Sequence, residues 1–103
     1  MITAEEALEQ MGYDYTDKTV LAIGERKFAA AEMRLKRSVG DDIWELLPDD
    51  PEAIDLLMCY MEEAFNEQGV ISAKASNAKR AAVADAELHL RLELARLREE
   101  ASA

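Results

Sequence analysis

The stretch Pro51-Glu52-Ala53-Ile54-Asp55-Leu56-Leu57-Met58-Cys59-Tyr60-Met61-Glu62-Glu63-Ala64-Phe65-Asn66-Glu67-Gln68-Gly69 decides the fold. Ile54, Leu57, Met58, Met61 and Phe65 recur at spacings of three and four, which puts them on one face of a helix. Leu56, Cys59 and Tyr60 widen that face until only Asp55, Glu62, Glu63 and the two ends stay polar. Asp50 is suited to the N-cap, Pro51 to the first helical position, and Glu52 to the positive end of the dipole. Gly69 can take the left-handed conformation that closes a helix, with Val70 behind it as a hydrophobic latch. A helix this apolar needs other helices around it, and the remaining chain offers three.

Upstream, Thr3-Ala4-Glu5-Glu6 has the capping-box pattern, with Thr3 as N-cap and Glu6 three residues on. It opens a short helix over about residues 4–11, ending at Gly12, whose Ala4, Ala7, Leu8 and Met11 form a small apolar face. Residues 13–17 form a connector in which Asp14 or Thr16 caps a second helix. That helix, about residues 17–39, repeats Leu21, Phe28 and Leu35 at seven, with Gly24, Ala31 and Ser38 at seven between them. Large residues alternating with small ones let a partner helix come close. Glu25, Arg26, Glu32, Lys36 and Arg37 occupy the opposite surface. The basic residues Arg34, Lys36 and Arg37 near its C-terminal end complement the helix dipole, and Gly40 closes it.

Downstream, Asp41 or Asp42 starts one short turn carrying Ile43, Trp44, Leu46 and Leu47, and Pro48 ends it. Trp44 is expected to fold over the core as a lid. Residues 70–77 are rich in Ser and Ala without strand alternation, and Ser76 or Asn77 is expected to cap a last helix running to about Glu100. At about 100° per residue, Ala81, Ala84, Leu88, Leu92 and Ala95 form one stripe of this helix. Val83, Ala86, Leu90, Leu94 and Leu97 form a second, on nearly the opposite side. Asp85, His89 and Arg96 separate the stripes on one flank, and Arg80, Glu87, Arg91 and Arg98 on the other. A terminal helix with two apolar faces has more surface to bury than one small domain supplies, so one stripe is expected to pack at home and the other on a neighbouring subunit.

The 103 residues make one domain, and the scarcity of Gly and Pro outside segment ends favours an all-helical chain. No apolar run approaches a membrane span, and the first residues lack a signal-peptide pattern. Cys59 is the only cysteine, which excludes an intrachain disulfide and points to a cytoplasmic origin. The net charge of −10 is unevenly spread, since residues 1–69 hold 6 Lys and Arg against 17 Asp and Glu. Such a body is unsuited to wrapping nucleic acid, which requires cations to displace counterions.

Residues able to carry catalysis are scattered. His89 has no sequence-local partner for a triad or a metal set, and Cys59 lies mid-helix among Leu, Met and Tyr as a small core residue. The acidic run Asp41, Asp42, Glu45, Asp49 and Asp50 lacks the alternation and central Gly of a calcium loop. There is no Gly-rich phosphate loop. The expectation is a protein that is not an enzyme, with no catalytic residues, metal or cofactor.

The layout resembles the head–tail connector (adaptor) proteins of tailed bacteriophages, the small helical family that docks beneath the portal ring. The opening Met1-Ile2-Thr3-Ala4-Glu5-Glu6-Ala7 resembles its short first helix. Asp17–Gly40, with Ala29-Ala30-Ala31-Glu32 before a closing Val39-Gly40, resembles its second. The Pro51-Glu52-Ala53-Ile54 start and Phe65-Asn66-Glu67-Gln68-Gly69 end resemble its central helix. The sequence departs from the family in lacking the Arg of a Tyr-Glu-x-Arg-type ending and in its longer, Ala- and Leu-rich last helix. It also has no strand pair before that helix.

The resemblance implies subunits forming a ring, dodecameric on the portal, that extends the DNA channel and meets a tail-completion protein, within the virion after assembly in the host cytoplasm. DNA would be passing cargo, repelled by an acidic lumen, and no membrane is involved. Two alternatives share the composition: a small terminase subunit, which should carry a basic DNA-binding helix pair, and a helical adaptor unrelated to phages.

The resulting expectation is an all-α bundle of three to four helices around the helix at 51–68. Residues 1–75 would form the core domain and 76–103 its assembly helix, without which the rest should keep a helical core but fail to assemble. Leu21, Phe28, Leu35, Trp44, Ile54, Leu57, Met58, Met61 and Phe65 are the expected core. Val83, Leu88, Leu90, Leu92, Leu94 and Leu97 are the expected oligomer or portal interface.

Overall fold

Local signals set most of the helix boundaries. The computed structural model describes the backbone of residues 2–65 and 73–102, and the side chains of 2–65 and 80–102. Its helices are α1 (Ala4–Gln10), α2 (Lys18–Ser38), α3 (Ile43–Leu46), α4 (Pro51–Phe65) and α5 (Ala73–Ser102), and no strand occurs among the described residues. The chain is thus an all-α bundle with a long C-terminal helix.

Thr3 caps α1 as expected, its Oγ1 accepting from the Glu6 backbone N–H at 3.2 Å and donating to the Glu6 carboxylate at 3.1 Å. Gly12 leaves the helix at φ 84°, a conformation costly for any residue with a Cβ. The cap of α2 is Asp17 rather than Asp14 or Thr16. Its Oδ1 accepts from Thr19 N at 2.8 Å and Val20 N at 3.4 Å. Asp14 is occupied by a local turn, accepting from the backbone N–H of Thr16 at 3.0 Å and from its hydroxyl. Asp50 caps α4, accepting from Ala53 N at 3.0 Å, and Pro51 takes the first helical position. The expected stop at Gly69 and Val70 lies outside the described residues.

α5 corrects the expected boundary. It begins at Ala73, so Ser76 and Asn77 lie inside the helix instead of capping it. Ala73, Ala75 and Ala78 are strong helix formers, and each added turn gains backbone hydrogen bonds that outweigh a cap preference of about 1 kcal/mol. At 30 residues α5 is about 45 Å long, close to the 47 Å longest dimension of the molecule.

α2 packs most extensively on α4, α1 lies on α2, and α5 lies on α4 and α3. The seam expected on α2 is inward, with Gly24, Phe28, Ala31 and Leu35 buried. Its small positions do the work foreseen for them. A Cβ on Gly24 would stand 2.5 Å from Leu8 Cδ1 and 2.9 Å from Leu8 Cγ, so the missing side chain is what lets α1 dock.

On α4 the most deeply covered residues are Ala53, Leu56, Leu57, Tyr60 and Met61, while Ile54, Met58 and Phe65 are partly covered at the edge of the cluster. The buried line is rotated from the expected one because α4 receives α2 on one side and α5 on another. Leu21 and Trp44 also pack partly covered against the cluster. Ile2, Val39 and Ile43 join the core from loops and short turns.

Candidate assembly surface

The two stripes of α5 have separate fates. Val83, Leu90 and Leu94 belong to the chain's own hydrophobic cluster, with Leu90 and Leu94 1% and 0% exposed; Ala86 packs partly covered against it, and Leu97 is half-buried. Leu88 and Leu92 are 53% and 62% exposed, and Ala81, Ala84 and Ala95 of the same stripe are open as well. The six residues expected at an interface therefore divide. Val83, Leu90 and Leu94 are core residues, because α4 and the α2–α3 corner take that stripe, whereas Leu88 and Leu92 face outward.

Polar contacts fix the rotation of α5 that produces this division. The Tyr60 hydroxyl, on a side chain otherwise buried, donates to Glu87 at 2.5 Å. Burial and the neighbouring Glu87 carboxylate push the Tyr60 pKa up to about 12, so the phenol stays protonated as a donor. Arg91 donates through Nε to the Ser38 carbonyl at 2.6 Å, satisfying an acceptor at the end of α2, and through Nη2 to Glu87 at 3.3 Å. Arg98 grips Asp42 with two donors, one of them Nε at 2.7 Å, and holds the Asp42 carboxyl below its ordinary range. Its approach passes Gly40, where a Cβ would stand 3.1 Å from Leu94 Cδ1. His89 donates to Glu52 of α4 at 2.5 Å, and the hydrogen bond to that carboxylate raises its pKa.

The cations at the end of α2 also find partners. Arg34 lies 4.1 Å over the Tyr60 ring and pairs with Glu63 at 2.5 Å, and Lys36 pairs with Glu32 at 3.5 Å. Arg34 is thereby committed to the α2–α4 seam rather than to a ligand.

All 6 Lys and Arg of residues 1–69 lie on α2, as Lys18, Arg26, Lys27, Arg34, Lys36 and Arg37, alongside only Glu25 and Glu32. The other 15 acidic residues of that span fall elsewhere. Counting charge by halves of the chain conceals this segregation, whereas counting it helix by helix reveals it. The outward face of α2 carries Ala22, Arg26, Ala29, Met33 and Arg37, with Met33 54% exposed.

Among the described residues no group of three or more His, Cys, Asp or Glu could hold a metal ion, and no helix is long and apolar enough to cross a membrane. A groove of about 260 Å³ between α4 and α5, lined by Glu52, Asp55, Leu56, Cys59, Ala82, Val83 and Ala86, is open and mainly apolar. Cys59 is half-buried at its floor among packing residues. Among the described residues, α5 thus exposes an apolar stripe and α2 a charged, small-residue face. Comparison of the chain with protein-family models, with curated proteins and with solved structures found no match.

Proposed function

We propose that this chain is a structural subunit of a tailed-phage head–tail connector, assembling into a ring beneath the portal and joining head to tail. The observation that carries the reading is the outward stripe of α5. Leu88 and Leu92 stay exposed on a helix whose other stripe is already buried, an arrangement suited to a surface that a neighbour covers. The acidic excess supports it further, since a negatively charged channel wall repels phosphate and lets DNA slide. The order of short first helix, long second helix and Pro-started central helix matches the layout on which the resemblance rests.

The test measures mass in solution for the chain alone and mixed with purified portal rings. A ring, or a stable complex with the portal, is expected. Leu88→Glu with Leu92→Glu should abolish it while leaving the helical content unchanged. A chain that remains monomeric and ignores the portal at high micromolar concentration would end this reading. Because Val83, Leu90 and Leu94 are core residues, removing α5 would also strip the core. Point substitutions are therefore the sharper instrument than truncation.

A further inference from the structure

Resting on the assembly reading, we infer that the outward seam of α5 in one copy docks on the outward face of α2 in the next. The contact is heterologous, between two different surfaces of the same chain. On α5, the seam Ala81, Asp85, Leu88, Leu92, Ala95 and Glu99 alternates spacings of four and three, as a helix presenting one line to another helix requires. On α2, Ala22, Arg26, Ala29, Met33 and Arg37 recur at spacings of four, three, four and four, which keeps them on one face. Each line is open along its length.

The two lines complement each other in size and charge. Large residues on α5 (Leu88, Leu92) meet small ones and a flexible methionine on α2 (Ala22, Ala29, Met33), so the axes can approach closely. Asp85 and Glu99, at the ends of the apolar part of α5, find cations in Arg26 and Arg37. None of these four side chains is in an ion pair with another described residue. Packing α2 on α2 would bring Arg26 and Arg37 against their own copies. Packing α5 on α5 would leave Met33 and the cations of α2 uncovered. A heterologous contact also propagates from copy to copy and closes into a ring when the rotation allows. Duplex DNA is the rival occupant of a cationic face. It is disfavoured because the line on α2 is mostly Ala and Met, and because Glu25 and Glu32 flank it.

The experiment uses the full chain with Cys59→Ser as background and a short bismaleimide cross-linker. Ala29→Cys with Leu88→Cys tests one helix orientation, and Ala29→Cys with Leu92→Cys the other. A ladder of linked species is expected from one of these double variants and none from the single variants. Arg26→Glu with Arg37→Glu should weaken self-association about ten-fold or more, and adding Asp85→Arg with Glu99→Arg to the same chain should recover it. Linked dimers from Leu88→Cys or Leu92→Cys alone, or assembly indifferent to the α2 charge reversal, would overturn the inference while leaving the connector reading intact. Duplex binding that disappears with the α2 reversal while self-association persists would assign that face to nucleic acid and overturn it too. A wild-type chain that neither self-associates nor binds purified portal rings removes both readings together, whereas one that binds the portal without any copy-to-copy contact overturns this inference alone.

Discussion

Replacing one leucine from each stripe of α5 gives a paired test of how the helix sits. Leu94 is fully buried, and Leu94→Ala deletes three carbons from the core. Transfer of those groups is worth about 2.4 kcal/mol, and the cavity left behind brings the cost to about 3 kcal/mol. A domain of this size has on the order of 5–15 kcal/mol in total, so the loss is a large fraction. Leu92 is 62% exposed, and its truncation in the isolated chain should cost less than about 0.5 kcal/mol. Urea unfolding followed by circular dichroism reads both. With a slope of about 2 kcal/mol per molar, the midpoint falls by about 1.5 M for Leu94→Ala and barely moves for Leu92→Ala. The measurement belongs at a concentration where the midpoint no longer depends on protein concentration, since assembly would stabilise the fold by mass action. At higher concentration the order reverses for association, where Leu92→Ala is the damaging change. Equal midpoint shifts, or a larger one for Leu92→Ala, would refute the assignment of inner and outer stripes.

Three further outcomes rest on particular contacts. His89 is the only histidine, and its folded pKa lies above the ordinary 6.5 because it donates to Glu52. The pair's contribution is complete below that ordinary value and is lost as pH rises through the raised one. An NMR titration should give a midpoint above 6.5 that moves back toward it in Glu52→Gln; no movement would deny the contact. Tyr60→Phe removes a buried donor to Glu87 and should cost about 1 kcal/mol. A phenol ionising near pH 12 should vanish from the ultraviolet titration of that variant, and its persistence would assign it to another tyrosine. Gly24→Ala sets a helix-propensity gain of about 1 kcal/mol against overpacking of up to about 3 kcal/mol. With Leu8 at 0% exposure and its Cγ and both Cδ atoms within 3.0 Å of the new Cβ, destabilisation should win. Leu8→Val beside it should recover part of the loss; strictly additive costs would show that the two residues do not touch.

The features legible in the sequence are those written in local patterns. Thr3, Asp50, Pro51 and Gly12 mark helix ends because caps and breakers act within a turn of themselves. The small–large alternation of Gly24, Phe28, Ala31 and Leu35 marks the inward seam of α2. The two stripes of α5 are visible too, but not which of them is buried. That choice depends on Ser38, Asp42, Glu52 and Tyr60, which reach α5 across 27 to 56 positions of sequence. The start of α5 is misleading because Ser76 and Asn77 look like caps locally, while a continuous alanine-rich helix is the better use of the same residues. Ile2 and Ile43 carry no periodic signature, and the meeting of α1 and α3 with the core buries them, whereas Val39 continues the α2 seam four residues past Leu35.

The clustering on α2 of half of the chain's 12 Lys and Arg, with only Glu25 and Glu32 beside them, also governs how two copies meet before they touch. Opposite charge at two separate places on one body makes each molecule a permanent electric dipole, which turns an approaching copy during diffusion and rejects collisions presented the wrong way round. Growth of an assembly would then be fast in dilute buffer and slow markedly once added salt shortens the reach of that field to a few ångströms. Once the copies are joined, the rate at which they part should be far less sensitive to salt.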